Sequence, residues 1–600
     1  MISKFIIFSF LLITVQLISQ DLSPNDFVTT WKTDNPGDSN DNQITIPTDP
    51  ALIYNYNVDW NNDGIFDEFG ITGNIVHTFN SPGTYTIRIN GDFPRIYFYD
   101  YIDNRKIVSI NQWGNQAWTS MRYAFRGCRQ LQGNATDVPN LSDVTDMSYM
   151  FFFAENFNQN INNWDTSNVT NMERTFSQAI DFNQPLDNWD TSNVTNMYGM
   201  FYGANSFNQS LNSWDTSNVT NMRTMFFSAD SFNGDIGNWD TSNVTEISSM
   251  FFEATNFNKP IGNWNTSNIT DMSDLFSYAS SFNQNIGNWD ISNVTSLHYT
   301  FHAAESFNQP LDNWDTSNVT DMFLTFGYAT SFNQDLGNWN TANVTNMSNM
   351  FREARAFNGY LRDWDTSNVT NMSSMFYSAD DFNQDISGWN TSNVSQMDGM
   401  FYSANSFNQD ISEWDTSNVF ITNGMFAYAT SFDQNIGNWN ISSLTSAEGM
   451  FVNVTLSTEN YDALLIGWEA QPHNNNVVFH GGESIPDLGL PARENLALGD
   501  GWQITDGAGA IGVTDYKFED VEIYPNPSDG IFNIQIRSTS LNPTLSYSVT
   551  SLTGQIVIEE KQVFLNKSCY ILDLSQINPG LYFIKLTSGA TKSIKKLIIN

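Results

Sequence analysis

Tryptophan stands at positions 164, 189, 214, 239, 264, 289, 314, 339, 364, 389, 414 and 439, a step of 25 residues without one insertion or deletion. A fixed period of this length marks a chain that stacks one small unit on the next, because no single unit can bury its own apolar face. The other apolar positions keep the register. Five residues after each Trp stands Val, Ile or Leu (Val194, Ile269, Leu444), eight after it usually Met (Met172, Met197, Met222), and twelve after it always Phe, as at Phe176 and Phe451. Fifteen after it is Ala as far as Ala429. Steps of three and four predict one short helical or 3₁₀ turn per coil. The Asp-Thr-Ser-Asn before it predicts N-cap side chains for the first free amides.

Each coil then continues with a phrase such as FNGDIGNW at residues 232–239. One short segment of this kind per coil predicts a parallel sheet with strands about 4.8 Å apart. A column of Asn (Asn183, Asn208, Asn233, Asn258) reads as buried and structural, its amides satisfying backbone groups of the neighbouring coil. End coils must differ to shield the stack. Residues 107–164 hold coils without the Trp step, and LSTENYDALLIGWEA at residues 456–470 predicts a closing helix.

These units, for example WDTSNVTNMYGMFYGANSFNQSLNS at residues 189–213, resemble the BspA-like leucine-rich repeat surface proteins of bacteria over roughly residues 107–510. The resemblance implies a repeat solenoid, leucine-rich-repeat-like, with short parallel strands plus short helical turns. It also implies surface adhesion or binding of other proteins, and it brings no catalytic residues. With what lies on either side, the expectation is a solenoid flanked by two small all-β domains.

The first flank, residues 21–106, alternates in strand fashion between Pro and Gly turns. YNVDWNNDGIFDE with HTFNSPGTYTIRI resembles a PKD-like β-sandwich module. Within it Asp59, Asn61, Asp63 and Asp67 surround Gly64, oxygen ligands at the spacing of a calcium loop. The loop's last position is Gly70 instead of Glu, and an Asx-rich turn is the other reading. Calcium here is the one cofactor the sequence suggests. The second flank, residues 516–600, carries YPNP at 524–527 and NPGLYF at 578–583 and ends on KLIIN. It resembles the C-terminal sorting domain of the type IX secretion system of Bacteroidetes-type bacteria. The resemblance implies dealings with the secretion machinery and a place outside the cell or on the outer-membrane surface.

Residues 1–20 place one early cation, Lys4, before an apolar run at 5–18, the pattern of a cleaved signal peptide. No other stretch is apolar enough to span a membrane. The chain carries 24 Lys+Arg against 64 Asp+Glu, a formal charge of -40, which repels nucleic acid and anionic membranes. The charge is uneven: residues 151–450 hold 32 acidic and six basic residues, whereas residues 515–600 hold eight of each. Cys128 and Cys569 fall in different segments and read as unpaired.

Coils without insertions leave no unequal loops from which to build a catalytic pocket, so the expectation is a non-enzymatic protein. His298 and His302, with Glu305 near, are spaced for a metal but lack the HExxH base, and a satisfied surface pair is the preferred reading. The expected partner is an extracellular protein or a glycan. A glycan role requires aromatic rings exposed in a row, and the Trp column serves only if it faces outward. Stacked Thr and Ser of the DTS phrase raise lattice binding as a remoter idea. The least repetitive exposed positions are basic, and Arg352, Arg355 and Arg362 of one coil form the candidate recognition spot.

Overall fold

The structure is a computed structural model describing residues 23–100, 102–510, 521–536, 544–552, 554–564, 569–588 and 591–600. The expected signal peptide, 1–20, lies outside the described residues. The chain forms two compact units: one holds the residues up to Ile269 with Tyr278–Gln284, the other Thr270–Ser277 with Asn285–Asn600.

The first unit opens with β1 (Phe27–Lys32), β2 (Gln43–Ile46), β3 (Asn55–Asp59), β4 (Glu68–Ile71), β5 (Ile75–Thr78), β6 (Thr84–Asp92), β7 (Ile107–Gln112) and β8 (Gln132–Gly133). Six of them form a sheet in the order β4-β3-β6-β1-β7-β8, and β2 pairs with β5. β1 is central because its side chains are almost all apolar or buried, with Phe27, Thr29 and Trp31 fully enclosed. β7, in the first of the coil residues, pairs antiparallel with β1. Lys106 is buried without exposure, and its Nζ donates to Ser39 O, Ser39 Oγ, Asn40 O and Gln43 O at 2.7–3.0 Å. The Asp103 carboxylate accepts the Ser39 and Thr45 amides. A buried charge with this many partners holds its loop in one conformation.

The coils follow in each unit. Within the first unit the amides of Met197, Gly199, Phe201 and Gly203 donate to the carbonyls of Asn221, Arg223, Met225 and Phe227 in the next coil at 2.7–2.9 Å. The intervening amides of Met200, Tyr202 and Ala204 turn back to Met197, Gly199 and Phe201 of their own coil. In the second unit, Met347, Asn349, Phe351 and Glu353 repeat the ladder to Asn371, Ser373, Met375 and Tyr377. Every second amide thus points to the following coil, and the carbonyls between accept from the preceding one, so this backbone is satisfied without helix or strand.

This geometry overturns the expected leucine-rich-repeat-like solenoid of short parallel strands and short helical turns. Two residues per coil, ten and fourteen after Trp, sit in the left-handed region: Gly199 (φ 57) and Gly203 (φ 64), Asn349 (φ 57) and Glu353 (φ 56). Left-handed residues four apart permit neither an α-helical turn nor an extended strand. Coils are joined by isolated bridges such as Asn171 with Asn196 and Asn346 with Asn371, and true strands are confined to short, separate sheets. The N-cap expectation falls with the helix. Asp190 Oδ1 accepts the Ser192 amide and hydroxyl, an Asx turn with no helix behind it.

What the coils bury is what the period foretells. Trp, Val, Met, both Phe, Ala and Ile or Leu are enclosed in coil after coil, the Trp side chains at 1–4 % exposure. Rings stack on their counterparts: Phe201 on Phe226 at 5.6 Å, Trp214 on Trp239 at 6.4 Å, Phe351 on Phe376 at 5.6 Å. Each such pair contributes roughly 0.5–1.5 kcal/mol beyond its buried area. The indole also spans coils. Trp189 Nε1 donates to Ile161 O at 3.0 Å and Trp364 Nε1 to Leu336 O at 2.8 Å, which answers why a buried ring with one donor recurs here. The Asn column is exposed or half-buried. Its Asn183 and Asn333 Oδ1 atoms accept the amides of Asn208 and Asn358.

The second unit continues into α1 (Thr458–Glu469), β9 (Val478–His480), α2 (Leu490–Glu494) and β10 (Gln503–Thr505). Ser457 caps α1 by accepting from the Asn460 amide. Trp468 Nε1 donates to Ile436 O, so the helix takes the hydrogen-bonding place of a coil. Behind it, Arg493 grips Asp506 at 2.7 Å through two nitrogens and Tyr461 donates to the same carboxylate. Farther on come β11 (Val521–Tyr524), β12 (Ile531–Ile536), β13 (Thr544–Ser551), β14 (Ile556–Phe564), β15 (Cys569–Asp573), β16 (Gly580–Ser588) and β17 (Thr591–Ile599). They form sheets β11-β12-β15 and β14-β13-β16-β17 around Phe532, Ile534, Val549, Ile584 and Leu597.

Candidate functional site

The coil has a constant corner and a changing face. At the constant corner Thr191 is buried and its Oγ1 donates to Asp215 O, while Asn193 Nδ2 donates to Ser167 O. These side chains are spent on coil-to-coil bonds, and the buried Thr removes the stacked-hydroxyl lattice reading. The Asp of the phrase is exposed, and hydrogen bonds from Ser217 and Ser367 hold the Asp215 and Asp365 carboxyls below their ordinary range.

The changing face lies nine to fourteen residues after Trp, around the two left-handed positions. In the first unit it carries Tyr202, Phe227 and Phe252 stacked at 4.6 and 4.3 Å, then Tyr278, exposed, edge-on to Phe252 at 5.6 Å. Arg174 lies over Tyr198 and Tyr202 at 4.9 and 5.5 Å. In the second unit the row runs from Phe323 and His298 (5.1 Å) through Tyr299, His302 and Tyr328 to Arg352. It goes on through Tyr377, Tyr402 and Tyr428. Tyr328 and Tyr428 are 37 % and 39 % exposed.

The three candidate arginines have different partners. Arg352 is built into the row, its guanidinium 3.9 Å over the Tyr377 ring and its Nε donating to Tyr328 Oη at 3.1 Å. Arg355 pairs with Glu353 of its own coil and Arg362 with Asp385 of the next. Sequence reasoning missed the tyrosines beside Arg352. The signal was present: thirteen and fourteen after Trp, the repeat stops repeating and aromatic residues recur.

The Asp59 loop is wound on itself. Asp59, fully buried, accepts the Asn61, Asp63 and Gly64 amides. Asp63 accepts from Ile65, and Asp67 accepts the Trp60 amide at 2.9 Å. The oxygens that a calcium ion would draw together are pointed at backbone donors, and no group of three or more metal-binding side chains is assembled among the described residues. Only half of the expected surface pair is at the surface: His302 is buried, while His298, half-exposed, bonds to Asp321. Burial lowers the His302 pKa to about 4, a backbone hydrogen bond to Gly327 offsetting part of the effect. Cys128 is free and buried, which raises its thiol well above the ordinary value. The Cys569 side chain lies outside the described residues.

Fold and face together define a tandem-repeat protein whose coils pair their backbones and, in each unit, carry a changing aromatic face. The family described as Mycoplasma protein of unknown function, DUF285, matches residues 119–233, 209–309, 283–365 and 358–464, more than half of the chain, and the chain belongs to that family. Residues 522–600 match the secretion system C-terminal sorting domain. The protein is therefore secreted or placed at the cell surface, and its C-terminal domain is the part that deals with the secretion machinery. No helix among the described residues is long and apolar enough to cross a membrane. A comparison with curated proteins finds no match.

Proposed function

We propose that the protein is a non-enzymatic binding or adhesion protein that presents the changing face of its coils to an extracellular protein or matrix partner. The observation that carries this reading is the separation of roles within one coil: the hydrogen-bonded corner is constant while the face around residues 299–303, 324–328 and 349–353 varies freely on the same backbone. Rows of Tyr with an embedded Arg have the composition of binding hot spots, rigid rings with a polar edge. The BspA-like resemblance of the repeats and the PKD-like resemblance of the first module point the same way.

A glycan-binding role is the second reading. It loses its first support, because the Trp column is buried. The exposed tyrosines are the remaining platform, yet Tyr377 and Tyr402 lie parallel at 4.4 Å and 0°, each covering the face a sugar would use. The full chain applied side by side to an extracellular-matrix protein array and a glycan array separates the two. Protein spots that lose binding when Tyr402 and Tyr428 are replaced by Ser support the first reading, and glycan spots with the same dependence overturn it.

A further inference from the structure

A cavity of about 460 Å³ opens in the first unit among Asp38, Asn104, Arg105, Arg129 and Phe153. We propose that it is a binding site for a carboxylated sugar, a terminal uronic acid or similar sugar acid.

The cavity is of ligand size and its walls are fixed. Gly37 lies so close to Asp103 and Lys106 that an added Cβ would stand 2.4 Å from Asp103 Oδ1 and 2.6 Å from Lys106 Cε. The loop before Asp38 is thus pinned on the buried Asp103 and Lys106. On the other side, Arg129 is held by Glu155 and lies 5.4 Å over the Phe153 ring. Asn104, only 5 % exposed, anchors its amide on Arg126 O at 3.2 Å.

Its lining is less acidic than the chain as a whole, Arg105 and Arg129 standing against Asp38, with Arg129 already paired to Glu155. In a protein of formal charge -40 with 24 cationic side chains in 600 residues, two arginines face one cavity. Arg105 is exposed and makes no ion pair among the described residues, so its planar fork is available for a carboxylate. Asp38 on the same wall disfavours a second carboxylate and suits hydroxyl donors, and Phe153 supplies an apolar wall. One carboxylate, several hydroxyls and an apolar face describe a sugar acid better than a neutral sugar or an acidic peptide. The field of the whole chain also opposes long polyanions, which favours a single terminal residue over a charged polymer.

Calorimetric titration of the full chain with galacturonate, with galactose and with glutamate tests the site. The expected result is binding of galacturonate, weakened at least tenfold by Arg105→Gln and by added salt, with an unchanged melting temperature. Galactose and glutamate are expected to bind at least tenfold more weakly. Absence of galacturonate binding overturns the proposal, as does binding that Arg105→Gln leaves intact. Equal binding of galactose or of glutamate overturns the sugar-acid class. None of these outcomes bears on the tyrosine rows, no residue of which lines the cavity.

Discussion

The Arg352 guanidinium lies 3.9 Å from the centroid of the Tyr377 ring, one coil further on, and its Nε reaches Tyr328 Oη one coil before. One side chain therefore links three successive coils across the changing face. A cation over a ring contributes about 0.5–2 kcal/mol, more as water is excluded. A double-mutant cycle of Arg352→Ala with Tyr377→Ala is expected to return a coupling of that size. Arg355→Ala is expected to change stability by less than about 0.5 kcal/mol, since its ion pair with Glu353 is largely solvated. Equal effects at the two arginines would contradict this.

Trp364→Phe keeps a ring in the stack but removes the donor to Leu336 O. Leu336 O keeps the Trp339 amide at 3.0 Å, so the cost is that of one hydrogen bond, about 0.5–1.5 kcal/mol, and the denaturant midpoint should fall accordingly. In the unaltered protein, acrylamide should barely quench the repeat tryptophans, as their 1–4 % exposure requires.

Thr224 occupies a left-handed position (φ 53) with a buried hydroxyl that has no hydrogen-bond partner. A β-branched residue is poorly suited to that backbone, and the coil beginning at Trp339 uses Asn349 at the same place. Thr224→Asn is expected to raise stability by about 1 kcal/mol, read as a higher melting temperature. A fall of similar size would show that the left-handed backbone is not strained there.

His302 gives the coils a pH dependence. Its pKa is lowered to about 4 from an ordinary 6.5, because burial disfavours the charged ring. Above the ordinary value both folded and unfolded chains hold it neutral and stability is complete. Between 6.5 and about 4 the unfolded chain takes up the proton first, so stability falls as pH falls, by at most about 3 kcal/mol. His302→Gln should flatten that part of the profile while leaving the acid loss that follows from depressed carboxyls such as Asp365.

The Asp59 loop is expected to ignore calcium. Its carboxylates already accept the Asn61, Asp63, Gly64 and Trp60 amides, which leaves them fewer lone pairs for a metal. Millimolar calcium should leave the melting temperature of the full chain within error, and a clear rise would support the metal reading instead.

Much of the coil was legible in the sequence because a zero-drift period states which side chains share an interior. Trp189, Val194, Phe201 and Phe207 are buried as their register requires, and the closing helix forms over Thr458–Glu469. The backbone was not legible. Apolar residues eight, twelve and fifteen after Trp fit a helix, but they fit equally a run of tight turns that returns inward every three or four residues. The distinguishing mark was glycine ten after Trp, at Gly199, Gly399, Gly424 and Gly449, each with positive φ, where a helix gains nothing from glycine. The face was hidden for a different reason. Attention to charge picked out Arg352, Arg355 and Arg362, whereas the row is made by ring contacts between coils, such as Tyr377 on Tyr402, that only stacking reveals.

The central claim is that the changing face binds and the constant corner only builds. The most direct measurement places a photo-crosslinking residue at Tyr402 in one variant and at Asn393 in another, then exposes each full-length protein to the extracellular-matrix protein array. Crosslinks from position 402 and none from position 393, with equal melting temperatures, is the predicted result. Crosslinks from position 393 alone would contradict the account.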